Sequence, residues 1–284
     1  MPQGQHEQIG PTGYYTAYVW YRLGLPYAEL FRSPKGAALY WSGRVGVEWM
    51  TKLSPRMPAM WQYLGHRHLL IEAQLRRIEP DLIVELGAGL SRRGVTWAVD
   101  HAVRYIEIDL PHMIEAKRAR LEAASPAIRA VLGDRLVLTS RNILDPSFAG
   151  ELRALIAGAK RPVVIMEGVL MYFAWPDRAQ VLESIASALE AAGGGDYLCD
   201  LQTRDREHEA GAAPRMLRRG IKLVTKGRGV APPWDDWTHV ESFFGDRGFD
   251  EVRPLHAKDF VADDPRLARM RSPGYLAWAH VEGE

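Results

Sequence analysis

The stretch Asp81-Leu-Ile-Val-Glu-Leu-Gly-Ala-Gly-Leu90 constrains this chain more than any other. A short aliphatic run leads into a tight Gly87-Ala88-Gly89 turn, and Ser91 stands where it would cap a helix beginning near Arg92. Strand, glycine turn and helix in that order open a nucleotide-binding βαβ unit. Gly87 lets the chain reverse without a Cβ penalty, and Gly89 lets a ligand approach the backbone. The helix start offers unpaired N–H groups and a partial positive charge. A dinucleotide site would place a third glycine three residues after Gly89, and Arg92 occupies that position. Its bulk argues against close helix–strand packing beneath a pyrophosphate. The turn therefore suits a smaller cofactor with an adenosine and an amino-acid head, S-adenosylmethionine (SAM). The alternative is a plain strand-to-helix turn that holds no ligand.

The next strand-like run, Val103-Arg-Tyr-Ile-Glu-Ile-Asp109, ends in an acid twenty residues beyond Gly89. At that spacing a carboxylate on the second strand meets ribose hydroxyls, and it disfavours a 2′-phosphate. Glu107 shares the strand face of Asp109 by period-two alternation and is a second acid for that work.

Further strand-like runs follow at 135–139, 162–166 and 196–201, separated by amphipathic stretches. Pro162-Val-Val-Ile-Met166 is the most apolar and reads as a central strand covered on both faces. A helix over 66–79 ends at Pro80, helices are expected over 92–101, 112–124 and from Pro176 to Gly193, and Ser147 is placed to cap one to about residue 157. A helix from Val240 to Arg247 and closing strands at 249–253 and 275–281 complete the count. This alternation predicts an α/β, doubly wound, mainly parallel sheet. Residues 1–12 read as a polar tail. Residues 13–65, rich in Tyr and Trp and broken by prolines, read as a cap of several short helices. Residues 203–237, with Lys226-Gly-Arg-Gly229, read as an inserted lid. The whole is expected to be one domain.

A formal net charge of +1 gives no basic field for nucleic acid. The N-terminus lacks a basic and an apolar signal region, and no run approaches the eighteen apolar residues of a membrane span. One cysteine, Cys199, excludes an internal disulfide and suits the cytoplasm; in its apolar run it reads as a buried small side chain. His66 and His68 are two apart, so on a helix they face different ways, and no metal site is expected.

Three stretches together resemble the leucine carboxyl methyltransferase-like branch of class I SAM-dependent methyltransferases, which includes bacterial tetracenomycin-type polyketide O-methyltransferases. They are Val84-Glu-Leu-Gly-Ala-Gly-Leu90 with Arg92 and Arg93, Tyr105-Ile-Glu-Ile-Asp-Leu-Pro111, and Glu167-Gly-Val-Leu-Met-Tyr-Phe173. The likeness covers roughly residues 65–200. It implies a Rossmann-like, seven-stranded fold, SAM as cofactor, and S-adenosylhomocysteine (SAH) as product. The implied cofactor set is Arg67, Glu85, Gly87, Ala88, Gly89, Asp109, Leu110, Asn142, Ile143, Glu167 and Gly168. Arg67 and the glycine backbone would take the cofactor carboxylate, Glu167 the ammonium, Asp109 the ribose and Asn142 the adenine edge. Asn142-Ile143 stands where the family often has Asp-Leu.

Methyl transfer from a sulfonium is an in-line displacement, so the protein aligns the partners and excludes water. A carboxylic acid substrate is already ionised at neutral pH, whereas a phenol usually needs a base. His208 and His239 are the available bases, Arg204 is placed to hold a substrate carboxylate, and Tyr172 to face the sulfonium or the substrate. Tyr14, Tyr15 and Tyr18 are expected to line the substrate pocket. The expected substrate is a small-molecule carboxylate or phenol, of polyketide or other aromatic secondary-metabolite type. The alternatives are a protein or peptide C-terminal carboxylate, or a SAM-binding fold without activity. A homodimer is compatible with the chain.

Overall fold

The computed structural model describes residues 10–42, 58–209 and 231–283. The remainder of the polar tail, part of the cap and the centre of the lid, including Lys226–Gly229, lie outside the described residues. The seven strands are β1 (Leu82–Leu86), β2 (Arg104–Asp109), β3 (Leu136–Ser140), β4 (Pro162–Met166), β5 (Gly194–Leu201), β6 (Glu251–Leu255) and β7 (Tyr275–Glu282). They form one sheet in the order β3-β2-β1-β4-β5-β7-β6. The first five are parallel, and β7 runs antiparallel to both β5 and β6. Order reverses beside β1, between β2 and β4, where an open α/β sheet places its ligand crevice. Pro254 lies in the edge strand β6, the position where a missing N–H does least harm.

The helices are α1 (Gly10–Arg22), α2 (Met60–Ile78), α3 (Arg93–Asp100), α4 (Pro111–Glu122), α5 (Pro126–Leu132), α6 (Phe148–Ile156), α7 (Trp175–Ala191), α8 (Arg204–Glu209) and α9 (Trp237–Gly245). Residues 34–42 are also helical. One sheet face, with Ile83, Tyr105, Val163 and Leu198, packs under α1, α2 and α3. The other, with Val84, Ile106, Val164 and Cys199, packs under α6, α7 and α9. Cys199 is fully buried, as its apolar run implied.

Four local expectations need correcting. Helix α1 begins at Gly10, inside the expected tail, and spans 13 residues where only short helices were expected. The 19-residue α2 also starts inside the expected cap, at Met60. Helix α5 was not anticipated, although Pro126 at its first turn and Ser125, whose Oγ accepts from Ile128 N, are ordinary start signals. Ser147 precedes α6, but its hydroxyl donates to Asp145 and Glu151 and does not cap the helix.

The close helix–strand approach that Arg92 seemed to forbid occurs two residues later. A Cβ on Gly94 would overlap the Glu107 carboxylate and sit 2.8 Å from Leu136 Cδ1. Gly94→Ala is expected to cost about 3 kcal/mol of unfolding free energy by urea titration. A change below about 0.5 kcal/mol would contradict this packing.

Candidate active site

The glycine turn sits at the carboxyl end of β1. Gly87 adopts φ +69° and Gly89 φ +55°, conformations that side chains rarely enter. Gly87 N donates to Ile108 O at 2.7 Å, tying the turn to β2. Asp109 closes it from the neighbouring strand: one carboxylate oxygen accepts from Gly89 N at 2.6 Å and the other from Leu110 N at 2.7 Å. Each oxygen keeps a second lone pair. Burial raises the Asp109 carboxyl from its ordinary value against these two bonds.

Beside the turn lies a buried charged cluster. Glu167, just past β4, uses one oxygen to accept from Arg67 Nε at 2.9 Å. Its other oxygen lies 3.0 Å from His68 Nδ1 and accepts from Arg93 NH2 at 2.6 Å. Arg93 NH1 donates to Glu85 at 2.7 Å, and Tyr105 OH donates to the other Glu85 oxygen at 2.6 Å. Arg92 pairs with Glu72. Arg67 NH1 reaches Asp200 at 3.2 Å, and Asp200 also accepts from Tyr63 OH at 3.3 Å and Gly168 N at 2.5 Å. Three guanidiniums thus meet four carboxylates. Burial would raise Glu167, but His68, Arg93 and Arg67 outweigh it and hold the carboxyl well below its usual range. Burial, helped by Arg93, pushes His68 down to about 4 against the pull of Glu167 and Glu72, so the ring is neutral at pH 7.

Helix α1 roofs this edge. Gly13 faces Gly89 across the turn, and any Cβ on Gly13 would press on Met113 Cε at 3.1 Å. Thr12 shares a hydrogen bond with Tyr172, whose phenol lies in the field of Arg67 and Asp200. Burial is the main cause raising that phenol, with Arg67 opposing it. Trp20 stacks on His68 with ring centres 4.1 Å apart.

Of the expected site residues, the fold brings Arg67, Gly87, Ala88, Gly89, Asp109, Leu110, Glu167, Gly168 and Tyr172 to this edge. Glu85 lies beneath it, with both oxygens committed to Arg93 and Tyr105, so it orients an arginine. Glu107 does not join Asp109: it is fully buried against Lys117, and burial raises its carboxyl. Asn142 is exposed past β3, its Oδ1 accepting from Leu144 N at 3.1 Å, and Ile143 packs into the core. Tyr15 and Tyr18 meet Tyr40 in tilted ring contacts, and Tyr14 meets Lys35 and Arg120, so these rings join α1 to its neighbours. Arg204 pairs with Asp235 on the surface at 3.2 Å, and His208 is exposed on the same helix. His239 stacks on Trp175 and lies 3.4 Å from Asp235. His66 turns toward His256 while His68 enters the cluster.

Sequence reasoning missed Glu72, His68, Tyr63, Asp200 and the site role of Arg93. For His68 and Glu72 the local signal was the charge-bearing run His66-Arg-His-Leu-Leu-Ile-Glu72 on a largely buried helix; Tyr63 and Asp200 had none.

The sequence profile described as leucine carboxyl methyltransferase matches residues 25–186. The chain belongs to that family. No curated protein matches. Among solved structures, an O-methyltransferase family protein from Burkholderia thailandensis superposes with TM-score 0.55 at 17% identity, over 97% of this chain and 72% of that one. The SAM-dependent methyltransferase SibL gives 0.52 at 17%, over 96% and 70%. Human N-acetylserotonin methyltransferase in complex with SAM gives 0.50 at 15%, over 93% and 62%. The chain spans 55% of a Nostoc punctiforme chain of similar fold, with TM-score 0.50 at 16% identity over 74% of this chain. At such identities these likenesses establish the class I methyltransferase fold.

A methyltransferase of this family takes its methyl group from SAM, and the site suits that group. The glycine turn presents bare backbone at the sheet edge, and Asp109 closes the second strand. With His68 neutral, the cluster carries one more carboxylate than guanidinium, which complements a cofactor whose sulfonium, ammonium and carboxylate sum to one positive charge.

Burial, with His256 a lesser cause, also holds His66 down to about 4. Both histidines bind fewer protons folded than unfolded, where their pKa is near 6.5. Their stability contribution is complete above that value and is lost as pH falls toward 4. Urea titrations are expected to show roughly 2 kcal/mol lost per histidine between pH 7 and pH 5. A stability flat across that interval would contradict their burial as neutral rings.

Proposed function

We propose that this methyltransferase transfers methyl to oxygen on a small molecule, with a carboxylate favoured over a phenol and an aromatic, polyketide-like body. The observation that carries this reading is the state of the histidine nearest the reacting edge. His68 is fully buried and its Nδ1 faces Glu167, so it is no base for a substrate hydroxyl. His208 is exposed on α8, and His239 is engaged by Trp175 and Asp235. A substrate carboxylate, ionised near pH 4, needs no base. The aromatic roof of α1 supports a flat apolar ligand.

Bound SAM supplies an electrophilic methyl on its sulfonium. The chain's own residues then have separable tasks. Arg67, gripped by Glu167 and Asp200, offers its remaining N–H groups to a carboxylate. Asp109 offers free lone pairs to ribose hydroxyls, and Asn142 an amide to the adenine edge. Tyr172, set by Thr12, borders the substrate side, and α1 excludes water. The family match favours a second reading, methylation of a protein or peptide C-terminal carboxylate. The cytoplasm is the proposed compartment, one domain the proposed organisation, and a freely soluble small molecule the proposed partner.

Turnover assays with aromatic acids, phenols and C-terminal peptides would separate the readings. A carboxylate substrate predicts a rate nearly flat from about pH 6 to 9, with His208→Ala and His239→Ala within a few-fold of the parent. A steep rise with pH, or a loss of about 100-fold in either variant, would indicate phenol methylation with a histidine base. Activity on peptides alone would support the second reading. Asp109→Ala is expected to weaken SAM binding by roughly 10- to 100-fold in calorimetry, and unchanged affinity would place the ribose elsewhere.

A further inference from the structure

His68 has no assigned task in methyl transfer, yet it joins the two parts that build the cofactor edge. Its ring is fully buried, stacked flat on Trp20 of α1 at 4.1 Å and 20°. Nδ1 lies 3.0 Å from the Glu167 oxygen opposite the one that holds Arg67. Nε2 lies 3.7 Å from Glu72 Oε1, beyond hydrogen-bond distance, and has no partner among the described residues. A neutral ring has one N–H to give. Nδ1 is the nitrogen within reach of a carboxylate, so that proton belongs on Nδ1. Arg93 NH2 lies 2.8 Å from Nδ1, but its two hydrogens have acceptors in the same Glu167 oxygen at 2.6 Å and His68 O at 3.4 Å, so Nδ1 is free to carry its own proton. Two donors therefore converge on that oxygen, leaving the other turned toward Arg67.

We propose that His68 is a positioning residue of the cofactor site. Its Nδ1–H holds Glu167 in the orientation that aims Arg67, and its stack on Trp20 makes that orientation depend on α1 being seated. The same helix places Gly13 on Gly89 and Thr12 on Tyr172. One contact thus couples closure of the roof to readiness of the arginine. This inference rests on the proposed role of Arg67 toward the SAM carboxylate.

Amide side chains separate the two ring nitrogens: Asn places its terminal group near Nδ1, and Gln near Nε2. Calorimetry with SAM and with SAH, run beside thermal melts, is the test. His68→Asn is expected to stay within about threefold of the parent, while His68→Gln and His68→Leu weaken binding about tenfold, the cost of one charge-assisted hydrogen bond. Trp20→Leu is expected to weaken binding similarly, and Trp20→Phe to retain it. In an Arg67→Ala background, His68→Leu should have no further effect on affinity, because its influence passes through Arg67. A merely structural histidine would make Asn, Gln and Leu equivalent, and would weaken binding equally in both backgrounds; either result overturns the assignment. If His68→Leu fails to fold, the Asn–Gln comparison decides alone. Absence of SAM binding by the parent would overturn the cofactor site itself. Parent binding with Asn and Gln equally impaired would overturn only the role of His68.

Discussion

Arg93 carries its charge where water does not reach, and the active edge is arranged around that fact. Its guanidinium spans Glu85 on β1 and Glu167 after β4, with Glu72 of α2 4.0 Å away. An isolated guanidinium in that position would be prohibitively unfavourable, so the carboxylates are conditions of the fold. Once they are present, each carboxylate needs its own satisfaction. Glu85 takes Tyr105, Glu167 takes Arg67 and His68, and Arg67 takes Asp200. Removing one member of such a network costs about 3–5 kcal/mol, because a buried charge is stranded. The ions therefore fix geometry more than they add stability.

The sheet explains where this network lies. Glu85 and Glu107 stand side by side on adjacent strands, both on the face beneath α1, α2 and α3. Like charges opposite one another are unfavourable. Arg93 and Lys117, from the helices that follow each strand, neutralise them separately. Lys117 Nζ also donates to Ser91 O at 2.5 Å, so the second pair braces the glycine turn from below. Two acids that a strand-end reading would assign to a ligand instead hold the scaffold, and Asp109, one step further along β2, stays at the edge.

Local signals made the scaffold legible. The glycine turn, the apolar run of β4 and the alternation of strands with helices depend on neighbours a few residues apart, and each appears where expected. The strand count followed from the same pattern, whereas the closing pair was implied by the family resemblance, and its antiparallel sense is seen in the structure. The charged cluster did not follow from it, because the bonds that tie its parts together join residues about 75 to 135 apart in the chain: Arg93 with Glu167, His68 with Glu167, Arg67 with Asp200. Only the topology brings them together, and no periodicity encodes it. The cap tyrosines were legible only as aromatic composition; that Tyr15 and Tyr18 meet Tyr40 depends on how the helices pack. A buried helix carrying Arg67, His68 and Glu72 among leucines was the sequence's clearest sign of the network.

On the proposed function, Arg67 and Glu167 act as one unit in holding the cofactor, with Arg93 and His68 behind them. A double-mutant cycle on SAM affinity tests it most directly, using Arg67→Ala, Glu167→Gln and the double variant, each checked for a cooperative melt. Coupled residues predict that the double variant binds about as weakly as Arg67→Ala alone, with a coupling free energy above about 1 kcal/mol. Effects that add within about 0.3 kcal/mol would show the two side chains acting independently and would rule out such a unit.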